Sequence, residues 1–271
     1  MNMTFFSAIF LGLLQGVTEF LPVSSSGHLV LAHALFGAEG EYALAFDAVL
    51  HMATASAVVV YFNRDIRTLV NAALRRLARL PVNKKDMTLI WALGIGTVPA
   101  VVFGLMLESL METMFRNPLL VAGVLVAGSL LFVFAEWRYI NVERENTMTI
   151  RKGMLIGFFQ SLALIPGMSR SGASIAGGML LGLTRHEAAR FAFLLAIPVM
   201  LGAGGKKLIE LAGASDPIAW SVVFAGAAVA FVTALAAIHF MLSFVRTHTL
   251  WPFVWYRVIL AGIVVFAVLV S

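Results

Sequence analysis

The chain has 271 residues, 61% of them hydrophobic and 12% charged, with a mean hydropathy of +0.94; a soluble domain carries about twice that charge density, which excludes a water-soluble globule. The net charge of +5 is local, since Arg64, Arg67, Arg75, Arg76, Arg79, Lys84 and Lys85 supply seven of the 19 cations in one short segment, and that clustering reads as a membrane-orientation signal, with no nucleic-acid partner. The absence of cysteine removes disulfides, thiolate zinc sites and cysteine nucleophiles.

The chain opens on MNMTFFSAIFLGLLQG, apolar but without a basic leader or a small-residue cleavage site, so it is expected to be retained as structure. Residues 3–36 form two apolar arms broken by FLPVSSSGH. Non-helical backbone at membrane depth survives only where it is buried in protein or lines a wet cavity, so this segment predicts a re-entrant helix-loop-helix hairpin. At about 20 residues per crossing, spans follow at Tyr42 to Phe62, which carries Asp47 and His51, at Thr88 to Leu107 and at Asn117 to Ala135. Residues 153–183 repeat the hairpin pattern around IPGMSRSGAS. Three more spans are predicted at Glu187 to Leu208, with Arg190 at its mouth, at Ile218 to Val245, and at Thr249 to Ser271, with Arg257 inside it. The prediction is an all-α polytopic membrane protein of one integral domain over 1–271, with six spanning helices plus two re-entrant hairpins, about ten helices in all.

The hairpins resemble each other. An offset of 145 residues aligns Gly12 with Gly157, Gln15 with Gln160, Ser24 with Ser169, Ser26 with Ser171, Gly27 with Gly172 and Phe46 with Phe191, although Pro22 falls on Gly167 and the second proline is Pro166. Repeat 1 (1–137) and repeat 2 (150–271) each hold one hairpin and three crossings. Three is odd, so the copies are expected to insert in opposite senses, an inverted-topology repeat. The basic connections Asn63 to Met87 and Glu136 to Lys152 then fall on one side, which the positive-inside rule makes cytoplasmic. Both termini lie outside, the first hairpin enters from outside, and the two hinges meet near the midplane.

Gln15 and Glu19, four apart, share a helix face just before the break at Pro22. A carboxylate at that depth is costly unless it faces a partner or water, which makes Glu19 a site candidate; a structural bridge to Arg170 is the plainer reading. Ser24, Ser25, Ser26, Gly27 and His28 begin the second arm, where free backbone N–H groups and the positive end of the helix dipole suit a phosphate. Ordinary N-capping is the alternative for the serines, and an interhelical hydrogen bond is the alternative for His28 as acid, base or nucleophile. The second hairpin supplies the cation: Arg170 stands between Ser169 and Ser171, followed by Gly172 and Ser174, a set that combines bidentate phosphate geometry with hydroxyl and backbone donors. His51 and Asp47, four apart, are expected either to line the cavity or to bind each other, with structure placed ahead of function. His33 is expected to face away from His28, Arg257 and His239 to be interhelical or helix-end groups, and Trp251, Trp255 and Tyr256 to form an interfacial belt. The five glycines from Gly94 to Gly128 suggest close helix packing.

QGVTEFLPVSSSGH together with PGMSRSGAS resembles the undecaprenyl-diphosphate phosphatase family, whose bacitracin-resistance members share a glutamate-rich first motif and a PGxSRSxxT second motif. The resemblance covers essentially the whole chain. It implies removal of one phosphate from a C55 isoprenoid diphosphate, recycling the peptidoglycan lipid carrier in the bacterial cytoplasmic membrane, and bacitracin resistance. It also implies Mg²⁺ or Ca²⁺ at Glu19, and the orientation above would open the site to the outer face. Gln15 stands where many members carry a first glutamate, and Ser174 replaces the threonine that closes the second motif. The nucleophile is left open among Ser25, His28 and a water, as is pairing with a second copy of the chain. The competing class is a transporter or flippase of a lipid phosphate or anion, because inverted repeats with broken helices are transporter architecture.

Overall fold

The computed structural model describes residues 4–36, 41–107, 117–141, 146–212 and 220–270. The connections 37–40, 108–116 and 213–219, whose low positive charge entered the orientation count, lie outside the described residues, as does Arg144. Among the described residues the chain is all helix: α1 (Phe5–Phe20), α2 (Ser25–Phe36), α3 (Glu41–Tyr61), α4 (Asn63–Leu77), α5 (Lys84–Met106), α6 (Pro118–Ile140), α7 (Ile150–Ser161), a 3₁₀ turn (Leu162–Leu164), α8 (Arg170–Leu180), α9 (Arg185–Ala212), α10 (Trp220–Thr247) and α11 (Trp251–Val270).

The helix starts follow local chemistry. Thr4 and Ser7 form a reciprocal capping box on α1, Asn83 caps α5, and Asn117 caps α6 with Pro118 at its first position. The first arm stops at Leu21, extended at φ −72° and ψ 141°, because a residue preceding proline is driven out of the helical region. Five helices are long and apolar enough to cross a bilayer: α5, α6, α9 over Arg185–Lys206, α10 and α11. The sixth predicted crossing corresponds to α3 (21 residues), which turns by 77° into α4. The chain is a multi-pass membrane protein. One expectation is corrected here: the basic connection from Asn63 was read as a loop, whereas most of it is helix α4.

Each hairpin's first arm rests on a span from the other half of the chain, α1 on α10 and α7 on α5. Both contacts are backbone to backbone. A Cβ at Gly12 would lie 2.3 Å from the Gly226 carbonyl oxygen, and one at Gly157 would lie 2.0 Å from that of Gly96, so side chains larger than hydrogen cannot stand at either crossing. α3 packs on α9, and α6 on α11. Phe20, Phe132, Phe193, Leu195 and Met241, from α1, α6, α9 and α10, share one buried cluster beneath the hinges. This interleaving brings residues 21–24 and 165–169, far apart in sequence, to one place.

Candidate functional site

The site is built at the two hinges. Ser24 and Ser169, matched at the 145-residue offset, both adopt left-handed backbone, with φ of 74° and 73°; for a residue with a Cβ that conformation costs energy and persists where surroundings hold it. Each serine's Oγ accepts the backbone N–H three residues on, Gly27 at 3.3 Å and Gly172 at 3.1 Å, and lies beside the next-but-one hydroxyl, Ser26 at 3.4 Å and Ser171 at 3.1 Å. The N–H groups of Gly27 and Gly172, expected to face a phosphate, are therefore engaged in caps. Ser171 also donates to the Leu21 carbonyl at 3.2 Å, tying the second hinge to the first. Ser174 is fully buried and its hydroxyl has no partner among the described residues, so it sits beneath the site.

Glu19 is almost fully buried at the end of α1. Its Oε2 accepts from Ser25 Oγ at 2.5 Å and from Gln15 Nε2 at 3.0 Å, and its Oε1 faces Arg170 Nη1 at 3.5 Å. The sequence therefore identified Gln15, Glu19, Ser25 and Arg170 as one cluster, although they come from both hairpins. Among the described residues, Glu19 is the hydrogen-bond partner of the Arg170 guanidinium. That bond is long and the side chain is about a quarter exposed, so most of its N–H groups remain to meet an anion.

Three residues that the sequence ranked below the hinge motifs complete the site. His51, expected to be structural and able to pair with Asp47, instead meets Gln15 Nε2 at 2.9 Å through Nδ1, with Glu19 Oε2 at 3.4 Å. An amide N–H₂ can only donate, so Nδ1 accepts. Asp47 is taken by His33 at 2.9 Å, which does point away from His28. Tyr256, expected in an interfacial belt, has a half-exposed ring, but its hydroxyl reaches His28 Nε2 at 2.7 Å while His28 Nδ1 meets the Ser24 carbonyl at 2.7 Å. His239 meets Tyr61 at 3.1 Å.

Arg257 is the third. It is completely buried, and it donates to five carbonyls: Nε to Leu125 at 3.2 Å, Nη1 to Pro22 at 3.3 Å and Met168 at 3.0 Å, Nη2 to Gly167 at 2.9 Å and Val124 at 3.5 Å. Pro22 and Gly167 are the positions the offset superposes, so one guanidinium clasps both hinges. Gly167 has φ of +101° and a Cβ there would lie 2.7 Å from the Val121 carbonyl, which is why the second hinge carries glycine where the first carries proline. The available signal for Arg257 was a cation in mid-span with no carboxylate in reach along its helix. The contacts of His51 and Tyr256 cross from α3 and α11 to the first hairpin, so spacing along their own helices does not reveal them.

The donors around Glu19 do not fit a divalent cation held by the protein alone. Among the described residues no group of three or more His, Asp or Glu side chains could hold a metal ion. The one carboxylate is shared among Ser25, Gln15 and Arg170, a cation already faces it, and hard cations of this kind take six or more oxygen ligands.

Comparison with known proteins finds relatives along nearly the full length of the chain. The bacitracin resistance protein BacA family matches residues 8–264. The undecaprenyl-diphosphatase of Marinobacter nauticus is 39% identical over 267 residues, covering 98% of this chain and 100% of the relative. Undecaprenyl-diphosphatase 2 of Frankia casuarinae is 43% identical over 283 aligned residues, with 99% and 96% covered, and the undecaprenyl-diphosphatase of Myxococcus xanthus 42% identical over 259, with 95% and 87% covered. With both polar hinges inside the matched region and relatives aligned nearly end to end, the chain belongs to the bacitracin resistance protein BacA family.

Proposed function

We propose that this chain is an integral-membrane phosphatase that converts undecaprenyl diphosphate to undecaprenyl phosphate and inorganic phosphate, recycling the lipid carrier of cell-wall synthesis and so conferring bacitracin resistance. The activity is carried over from the named relatives. The observation that carries the chemistry is the Ser25 hydroxyl 2.5 Å from the Glu19 carboxylate, next to an Arg170 guanidinium with N–H groups to spare.

Phosphoryl transfer asks a protein mainly to position groups and to neutralise charge. Arg170, with the Ser26 and Ser169 hydroxyls, holds the terminal phosphate. A nucleophile within hydrogen-bond reach of a base is the required pairing, so Ser25 Oγ attacks the terminal phosphorus, Glu19 takes its proton, the bridging P–O bond breaks, and undecaprenyl phosphate leaves. Water then hydrolyses the phosphoserine. Gln15, whose amide is anchored by His51, holds the Glu19 carboxylate toward Ser25. His28, with Nδ1–H on the Ser24 carbonyl, keeps its Nε2 lone pair toward the Tyr256 hydroxyl. No step is routed through Mg²⁺ or Ca²⁺. The polyprenyl tail stays in lipid between spans.

The halves are read as inverted repeats. The matched left-handed serines and the reciprocal glycine crossings at Gly12 and Gly157 support this. The basic side of the chain is then cytoplasmic, and the hinges open to the outer face of the bacterial inner membrane. The test is phosphate release from C55 diphosphate by purified protein, beside Glu19→Ala and Arg170→Ala. Release lost in both variants supports the reading. Folded wild-type protein that releases no phosphate, yet exchanges lipid phosphate across liposomes, overturns it in favour of a transporter.

A further inference from the structure

Helix α4 is an amphipathic element that no part of the phosphatase reading uses. Val70, Leu74 and Leu77 recur at i, i+4 and i+7, which places them in one stripe, and they are 50%, 58% and 80% exposed. The flank facing the protein is separate: Ala72 is buried, Asp65 forms an ion pair with Arg190 of α9, and the helix packs on α5. Arg64, Arg67, Asn71 and Arg75, spaced three and four apart, form a row that borders the apolar stripe, with Arg67 two turns before Leu74, and all four are exposed. The helix therefore has a docked edge, a bare apolar stripe and a cationic face.

Its setting fixes what can cover the stripe. α4 begins two residues after the end of α3 and is turned from it by 77°, so a helix continuing from a spanning segment lies close to the bilayer plane. The far end is also fixed: Arg79 takes left-handed backbone at φ 57°, and the Leu80 N–H bonds the Arg75 carbonyl at 2.8 Å, closing the helix with a reverse turn. An apolar stripe beside an arginine face, held in the membrane plane, matches the build of interfacial helices, and the arginines complement anionic headgroups.

We propose that α4 is a membrane-surface anchor, seated with Val70, Leu74 and Leu77 at the headgroup–acyl boundary and with Arg64, Arg67 and Arg75 among anionic phospholipid headgroups. The occupant is the surface of the protein's own bilayer. Asp65 and Arg190 couple the seated helix to α9, which packs against the second hairpin's α8.

The chain has no cysteine, so single-cysteine variants label cleanly. Full-length Leu74→Cys and Asn71→Cys proteins, each carrying a polarity-sensitive fluorophore, are reconstituted in nanodiscs of phosphatidylcholine alone or of equal parts phosphatidylcholine and phosphatidylglycerol. The Leu74 label is expected to be blue-shifted and quenched by doxyl lipid, and the Asn71 label to be quenched by aqueous iodide. Phosphatidylglycerol deepens the Leu74 label, and Arg64→Gln, Arg67→Gln and Arg75→Gln together abolish that dependence. Equal aqueous quenching of both labels in both lipids, with phosphate release intact as a check on folding, overturns the anchor. A lipid-buried Leu74 label that ignores phosphatidylglycerol overturns the headgroup assignment.

Discussion

The phenol of Tyr256 donates to His28 Nε2 at 2.7 Å, and the two rings stack at 5.7 Å. A backbone carbonyl can only accept, so the Ser24 contact places the His28 proton on Nδ1 and leaves Nε2 as the acceptor. Tyr256 is thus a positioning residue that holds the imidazole in one tautomer and one orientation. Tyr256→Phe keeps the ring and deletes the hydroxyl. A net hydrogen bond of about 1 kcal/mol predicts a fall in kcat of about fivefold with KM unchanged, measured by steady-state phosphate release in detergent. An unchanged kcat would make the contact merely structural.

Ser25 and Glu19 act as a unit in the proposed chemistry, so their losses are not additive. Ser25→Ala and Glu19→Gln are each expected to lower kcat by about 10³-fold or more, and the double variant to fall little further. Acid-quenched reactions with terminally labelled diphosphate are expected to trap label on Ser25 in the wild type. Label on His28 would transfer the nucleophile's role to that residue.

The two arginines at the hinges are predicted to separate activity from stability. Arg257 spends its N–H groups on five carbonyls, whereas Arg170 contacts Glu19 alone among the described residues. Arg257→Met removes the guanidinium donor from the hinge carbonyls of Pro22, Gly167 and Met168, at about 1–3 kcal/mol for each one left dry; thermal unfolding in detergent is expected to move down sharply and activity to go with it. Arg170→Ala is expected to lose phosphate release while unfolding within a few degrees of wild type.

Substrate-free protein is expected to show no saturable tight site for Mg²⁺ or Ca²⁺ by titration calorimetry, because Glu19 offers one carboxylate already facing Arg170. A tight apo site lost in Glu19→Ala would overturn that reading.

Most of the fold was legible because hydropathy at membrane depth leaves few choices: every span and both broken hairpins could be read from runs of apolar residues and from the prolines and serines that interrupt them. The Glu19, Ser25 and Arg170 cluster was legible for the same reason, since an ionisable side chain in an apolar arm needs a partner. What failed were readings of residues whose environment depends on which helices meet. Tyr256 looks like an interfacial aromatic along α11, and its hydroxyl turns inward only because α11 crosses the second arm of the first hairpin. His51 stands one turn after Asp47, which suggested a pair, but α3 presents the two to different neighbours, His33 and Gln15. Helix α4 was missed because its charge density resembles a loop; its apolar positions, 66, 69, 70, 73, 74 and 77, carry a helical period that the charge count masks.

The clasp formed by Arg257 has a mechanical consequence. Arg257 belongs to the second half of the chain, and three of its acceptors, Pro22, Val124 and Leu125, belong to the first. Rocking one half against the other would break all three bonds to a charged donor. At a lower value of about 1.5 kcal/mol each, that adds about 4.5 kcal/mol, roughly three decades in rate. The clasp therefore acts as a latch that slows any rocking of one half against the other.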